Sequence, residues 1–305
     1  MQELSYQNVF SRIGACYFAL LAGSQVLSAI VMTAARIYAP WVMETPWFIW
    51  VFSYVPLYLV CVPLFFVLLK KWVPVQSVNA EPRHLSAGSM VKIYIVMMGA
   101  VYAFNIVSAL ITQLIAMLKG SAVANPLDEV VTSSGLIYNL IFGCIVAPVG
   151  EELVFRWALY PRIAPRYGER LYLLVSSGIF ALYHGNLSQL LYAFVVGWLL
   201  GLVYVKTQRI RYSIAFHVVI NLTGILVGPA LAALGALGIG ILLAFEMACL
   251  IGAAVLWAKR PESARSLRPG TDIVPLYPVR ALLKTGGMVA LVVLCTVIIL
   301  ATTLA

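Results

Sequence analysis

LIYNLIFGCIVAPVGEELVFRWALYPR, residues 136–162, is the stretch whose reading decides the fold. It opens as a largely apolar run from Leu136 to Val149 and then sets Glu151, Glu152 and Arg156 directly behind it. A spanning helix needs about 20 predominantly apolar residues, and 136–156 reads as one. In most of the chain charge is kept out of such runs, so three charges at the end of this one require a reason. The composition agrees with the local reading. The chain is 63% hydrophobic and only 10% charged over 305 residues, whereas soluble domains carry about 25% charged residues.

Working outward, nine apolar segments are expected, at about 13–35, 47–69, 93–118, 136–156, 171–184, 187–205, 213–235, 237–258 and 287–304. The fold class is therefore an all-α, polytopic membrane helical bundle. Long apolar runs, in place of short alternating ones, exclude a transmembrane β-barrel. The first run follows Glu3 and Arg12 and is long enough to span, so it reads as a helix and not as a cleaved leader. Placing the N-terminus in the cytoplasm puts all but two of the 20 basic residues on the inner side, leaving Arg36 and Lys119 outside. The inner group before the fifth segment is Arg156, Arg162, Arg166 and Arg170, and the last loop includes Arg265. The formal charge of +9 is thus spent on orientation and on the lipid bilayer, and no nucleic-acid partner is expected. A cell membrane, multi-pass and bacterial, is the expected location.

The cysteines Cys16, Cys61, Cys144, Cys249 and Cys295 stand singly in apolar segments and read as packing residues, without disulfides or a CxxC metal motif. The longest hydrophilic connections are about 70–92 and 259–286, and no internal repeat is visible. The chain divides into N-terminal membrane segments over 1–135, a core over 136–225 and C-terminal segments over 226–305, one integrated membrane domain. The fifth segment is abnormally short. Either the chain turns within the membrane just after His184, or the protein is thin there; turning backbone at depth is tolerated only against protein or a water-filled cavity.

Charge at the middle of a spanning helix costs about 2.5–3.5 kcal/mol on insertion scales, so polar groups at depth are functional candidates. Three pairs are spaced by four residues, one helical turn: Glu152 with Arg156, Phe180 with His184, and His217 with Asn221. Each has a structural reading too: an ion pair closing a helix end, a packed histidine, an asparagine bonding between helices. Glu151 lies about 100° round the helix from Glu152, without an evident local partner. A glutamate, two histidines and an asparagine together supply a general base and hydrogen-bond donors, the equipment for adding water to a carbonyl and holding the oxyanion. HExxH, GxSxG and SxxK are absent around the histidines, and the two aspartates, Asp128 and Asp272, fall in loops. That leaves a glutamate-centred site, or a metal held by Glu151, His184 and His217 from three helices.

EELVFR fits EExxxR, FALYH fits FxxxH and HVVIN fits HxxxN, in that order and on separate segments. In this the chain resembles the CAAX protease and bacteriocin-processing family, membrane glutamyl endopeptidases that include the prenyl-protein CAAX proteases. The resemblance covers roughly residues 136–225. It implies an intramembrane endopeptidase acting near the cytoplasmic face on a membrane-associated peptide or protein, either a CAAX-type tail or a bacteriocin or signalling-peptide precursor. By the same resemblance Glu151 would activate water with help from His184, His217 and Asn221 would donate to the oxyanion, and Glu152 and Arg156, with Phe180, would position the site. The implied mechanism needs no metal, although zinc would accept Glu and His ligands. Asn186 and Gln189 are candidates for substrate contact. Gly197 and Gly201 suit close helix packing beneath the site. A non-proteolytic bacteriocin-immunity or scaffold protein is the alternative, and an ion-coupled transporter a further one.

Overall fold

The structure is a computed structural model that describes residues 5–78, 80–123, 125–262, 266–272 and 274–304. Glu3 and Arg265 lie outside the described residues. Among the described residues nine principal helices follow one another: α1 Tyr6–Tyr38, α2 Phe48–Trp72, α3 Ala87–Lys119, α4 Leu136–Tyr167, α5 Glu169–Tyr183, α6 Leu187–Thr207, α7 Ile210–Ala232, α8 Ala236–Ala258 and α9 Gly286–Leu304. Eight are long and apolar enough to cross a membrane, and the chain is a multi-pass membrane protein. The exception is α5, whose 15 residues make only about 22 Å of helix. The chain turns directly after it. Gly185 takes φ +66°, Asn186 caps α6 through the Gln189 amide, and the Gly185 carbonyl accepts from Thr302 Oγ1 of α9 at 3.0 Å. The turning backbone is thus satisfied by protein.

The bundle is built from close pairs. Helix α6 packs between α5 and α3, α3 against α8, and α1 against α9. At the α1–α9 contact Gly14 and Gly287 face each other, where a Cβ on Gly287 would fall 1.8 Å from the Ser11 carbonyl oxygen. Gly197 and Gly201 turn to α5, with the Phe180 ring 3.0 Å and a Leu173 methyl 2.8 Å from where their Cβ atoms would lie. The five cysteines are free and buried.

Helix widening organises the core. Wide π turns run over Val55–Cys61, Asn139–Val146, Glu152–Trp157 and Leu222–Val227. The first, second and fourth each stop one residue short of a proline. Their last donors are Val62 to the Leu57 carbonyl, Ala147 to Phe142 and Gly228 to Thr223. The next donor in each register would be Pro63, Pro148 or Pro229, which has no N–H. A carbonyl freed in this way within a membrane must find a donor elsewhere.

In the lower half of α4 such donors are supplied from all sides. The Tyr17 hydroxyl donates to the Val154 carbonyl and the Ser176 hydroxyl to that of Phe155, each at 2.7 Å. Arg162 Nη1 donates to Ala158 at 2.7 Å. The Pro161 carbonyl, which Pro165 cannot serve, accepts from the Gln76 amide at 2.8 Å. Helix α4 continues beyond 156 to Tyr167, and Arg156 and Arg162 are buried in the bundle. The reason is chemical: Arg156 has a carboxylate and Arg162 has two carbonyls, since its Nε also donates to Val73 at 2.7 Å.

Candidate active site

Pro148 divides α4 into two wide turns, and the few residues between them present the two glutamates in different directions. Glu152, fully buried, points inward. Its carboxylate meets Arg156 Nη1 at 2.8 Å and His217 Nδ1 at 2.9 Å, and it accepts from the Ser213 hydroxyl. Every lone-pair direction of a carboxylate in low dielectric is costly to leave empty, and three charged or polar partners fill these. Arg156, the cation of the pair, also donates to the Gly197 carbonyl at 3.2 Å and lies 4.2 Å above the Phe180 ring. Close approach at Gly197 is what admits the guanidinium.

Glu151 is partly exposed, its side chain 26% accessible, and its Oε2 lies 3.5 Å from His217 Nε2. His217 therefore bridges the glutamates, Nδ1 to Glu152 and Nε2 to Glu151. With Nδ1–H given to the buried carboxylate, the ring is fixed in orientation and its other nitrogen is aimed at Glu151. This is the logic by which a buried carboxylate orients a catalytic histidine.

His184 ends α5. Its Nδ1 lies 2.7 Å from the Phe180 carbonyl, a bond that makes Nδ1 the protonated nitrogen and leaves Nε2 with a lone pair. Phe180 joins the two histidines, in edge contact with His184 at 4.7 Å and with His217 at 5.8 Å between centroids. Asn221, one turn beyond His217, donates from Nδ2 to the Gly143 carbonyl at 2.9 Å. Asn186 caps α6 and Gln189 lies in its first turn. The Asn186 side chain is bound to the Gln189 amide, to Gln189 Oε1 and to the His184 carbonyl, while Gln189 Nε2 donates to Tyr192.

Two contributors were not anticipated. Ser213 completes the shell of Glu152, and its signal was available: Ser213, His217 and Asn221 recur every four residues on one face of α7. Tyr58 carried no such signal. Its ring lies so close to Gly150 that a Cβ there would fall 2.1 Å from Tyr58 Cε1. The ring therefore packs on the backbone next to Glu151.

Among the described residues no three His, Cys, Asp or Glu side chains converge as a metal-holding group.

Residues 133–223 match the family described as type II CAAX prenyl endopeptidase Rce1-like. The chain is also 30% identical over 82 residues to "Putative membrane peptidase YdiL" of Bacillus subtilis (strain 168), an alignment covering 27% of this chain and 34% of that protein. The match thus spans about a third of the relative's length. No solved structure matches the chain.

Proposed function

We propose that this membrane protein is an intramembrane endopeptidase whose base is Glu151, built on the core, residues 133–223, that matches the type II CAAX prenyl endopeptidase Rce1-like family. The observation that carries the reading is the bridge Glu152–His217–Glu151, at 2.9 and 3.5 Å. One glutamate is consumed in holding the histidine; the other is left beside it, accessible and unspent.

In the proposed reaction Glu151 takes a proton from water while the water oxygen attacks the scissile carbonyl carbon. His184 Nε2, free to accept, holds that water. The carbonyl π electrons move to oxygen, and His217 donates a hydrogen bond from Nε2 to the oxyanion. The oxyanion then collapses, the C–N bond breaks, and Glu151 returns its proton to the leaving amine. No metal is required by this scheme. Removing a single oxyanion donor costs about 10²–10³ in rate where that role has been measured. The substrate is a membrane-associated peptide or protein cut near the cytoplasmic face, with a prenylated CAAX tail and an unprenylated peptide precursor as the two candidate classes.

The test is cleavage by purified protein in liposomes, with a quenched fluorescent peptide bearing a farnesylated Cys-aliphatic-aliphatic-X tail and a mixture of unprenylated membrane-binding peptides. Glu151→Ala and His184→Ala should abolish or severely reduce turnover, and a strong chelator should leave the wild type unaffected. Undiminished cleavage by Glu151→Ala sinks the glutamate mechanism. Activity lost to the chelator and restored by zinc sinks the metal-free version. Peptide binding without any cleavage would support the immunity or scaffold alternative.

A further inference from the structure

Resting on the endopeptidase reading, we propose that Tyr192 binds the substrate: its hydroxyl donates to a backbone carbonyl of the peptide held beside Glu151, and Asn186 and Gln189 aim it. Hydrogen-bond direction makes the case. The Gln189 amide donates to Asn186 Oδ1 at 2.9 Å, so the oxygen and nitrogen of the Asn186 side chain cannot be exchanged. Asn186 Nδ2 then donates to the His184 carbonyl at 2.9 Å and to Gln189 Oε1 at 2.5 Å. Both hydrogens of that amide group are engaged, and the atom it meets on Gln189 must be the oxygen. Gln189 Nε2 is therefore the atom that faces Tyr192, and it donates to the phenol oxygen at 2.8 Å. A phenol that accepts in this way keeps its own proton to give, and among the described residues no acceptor takes it.

The placement of Tyr192 gives that proton a use. The residue is partly buried, against the cluster formed by Met97 and Met98 of α3 with Phe216 and Ile220 of α7. Phe216 and Ile220 directly precede His217 and Asn221 in the chain. The two charges that act on the Tyr192 hydroxyl are Glu151 of α4 and Asp128, in the connection before α4. The chain of bonds starts on the His184 carbonyl, so a single network fixes the end of α5 and directs a donor into the space shared with the base. Asn186, buried and with each side-chain hydrogen engaged, is a positioning residue. An extended peptide offers a carbonyl about every 3.3 Å, and a donor beside the scissile bond keeps the neighbouring residue in register. Such a bond is made equally to bound substrate and to transition state, and so acts on KM in preference to kcat.

The test compares Tyr192→Phe, Gln189→Glu and Gln189→Ala in the full-length protein in liposomes, with the farnesylated and unprenylated peptides already described. Tyr192→Phe deletes the donor and should raise KM roughly three- to tenfold, the contribution of one neutral hydrogen bond, with kcat within about twofold. Gln189→Glu keeps the phenol but sets an acceptor against it. The hydroxyl then turns to the carboxylate, and KM should rise as in Tyr192→Phe. Gln189→Ala leaves the proton free and should raise KM less than Gln189→Glu does. The Tyr192→Phe, Gln189→Glu double variant should be no worse than either single change. The affinity of the same peptides for the Glu151→Gln protein should fall in the same order, which reads binding without turnover. A phenol that serves packing alone gives another pattern: KM unchanged in Tyr192→Phe, or equal effects of Glu and Ala at 189. Either result overturns the proposal. A melting cycle between Gln189→Ala and Tyr192→Phe needs no peptide: the two losses should overlap, and strict additivity also overturns it. Failure of the peptidase reading is reported separately, by undiminished cleavage in Glu151→Ala.

Discussion

Glu151 and Glu152 are neighbours in sequence and opposites in environment, and that difference makes them separable by experiment. Glu152 is held by Arg156, His217 and Ser213 inside the bundle. Glu151 is partly accessible, with the edge of one imidazole beside it. Glu152→Gln removes the charge that compensates a fully buried guanidinium. Breaking a buried pair from one side typically costs about 3–5 kcal/mol, so the variant should unfold at clearly lower temperature in detergent and also lose activity, since His217 loses its orienting carboxylate. Glu151→Gln leaves every one of those contacts in place. It should melt at or above the wild-type temperature, as removal of a functional group at a strained site commonly does, while turnover disappears. A Glu151→Gln protein as unstable as Glu152→Gln would show that the division of labour drawn here is wrong.

At the scale of the helix, the chemistry depends on carbonyls that α4 cannot satisfy itself. Its second wide turn frees the carbonyls of Val154 and Phe155, and hydroxyls from α1 and α5 reach in to take them. Tyr17→Phe and Ser176→Ala delete one hydroxyl each and little volume. Each is expected to destabilise by about 1–3 kcal/mol, the cost of an orphaned buried group, and to speed amide exchange in α4 when followed by mass spectrometry. If neither change registers in exchange, the wide turn is held by packing alone. The sequence carried only part of this design. Nine helices, the short fifth one and the pairs at i and i+4 are visible because apolar length and helical period are properties of contiguous residues. The Gly197–Gly201 face was visible for the same reason. The wide turns were not: a single proline at 148 reads as a kink, and nothing local states that the register before it slips by one residue. Nor could spacing say that His217 would stand between both glutamates, because that contact joins α4 to α7 and is set by tertiary packing. The burial of Arg156 and Arg162 was not legible either, because a count of charges cannot see the partners that let arginine be buried.

On the scale of the molecule, the end of the bundle carrying Glu169 is clasped by the long connection after α8. Glu169 is buried at the start of α5, and Arg268 reaches it with Nε at 2.6 Å while the Arg268 amide donates to its other oxygen at 2.8 Å. Backbone bonds continue the clasp: Glu169 N–H to the Arg268 carbonyl at 3.0 Å, and the Thr271 and Asp272 amides to the Pro165 and Arg166 carbonyls at 3.0 and 2.8 Å. Arg166 and Asp272 add an ion pair at 2.6 Å. Gly270 allows this approach, since a Cβ there would fall 2.1 Å from the Arg166 oxygen. The clasp therefore closes the junction of α4 and α5, the two helices that deliver Glu151 and His184 from the opposite end of α5. Such a connection should open locally before the bundle unfolds. Arg268→Ala should accordingly make the 259–286 segment susceptible to limited proteolysis at temperatures where the membrane helices remain intact, and lower the stability by on the order of 1–3 kcal/mol of lost hydrogen bonding. Turnover of the protein that stays folded should remain within about twofold of wild type, because α5 itself keeps His184 and Phe180 in register through its packing on α6. Loss of turnover without any gain in cleavage of the loop would mean instead that the clasp is coupled through α5 to the placement of His184.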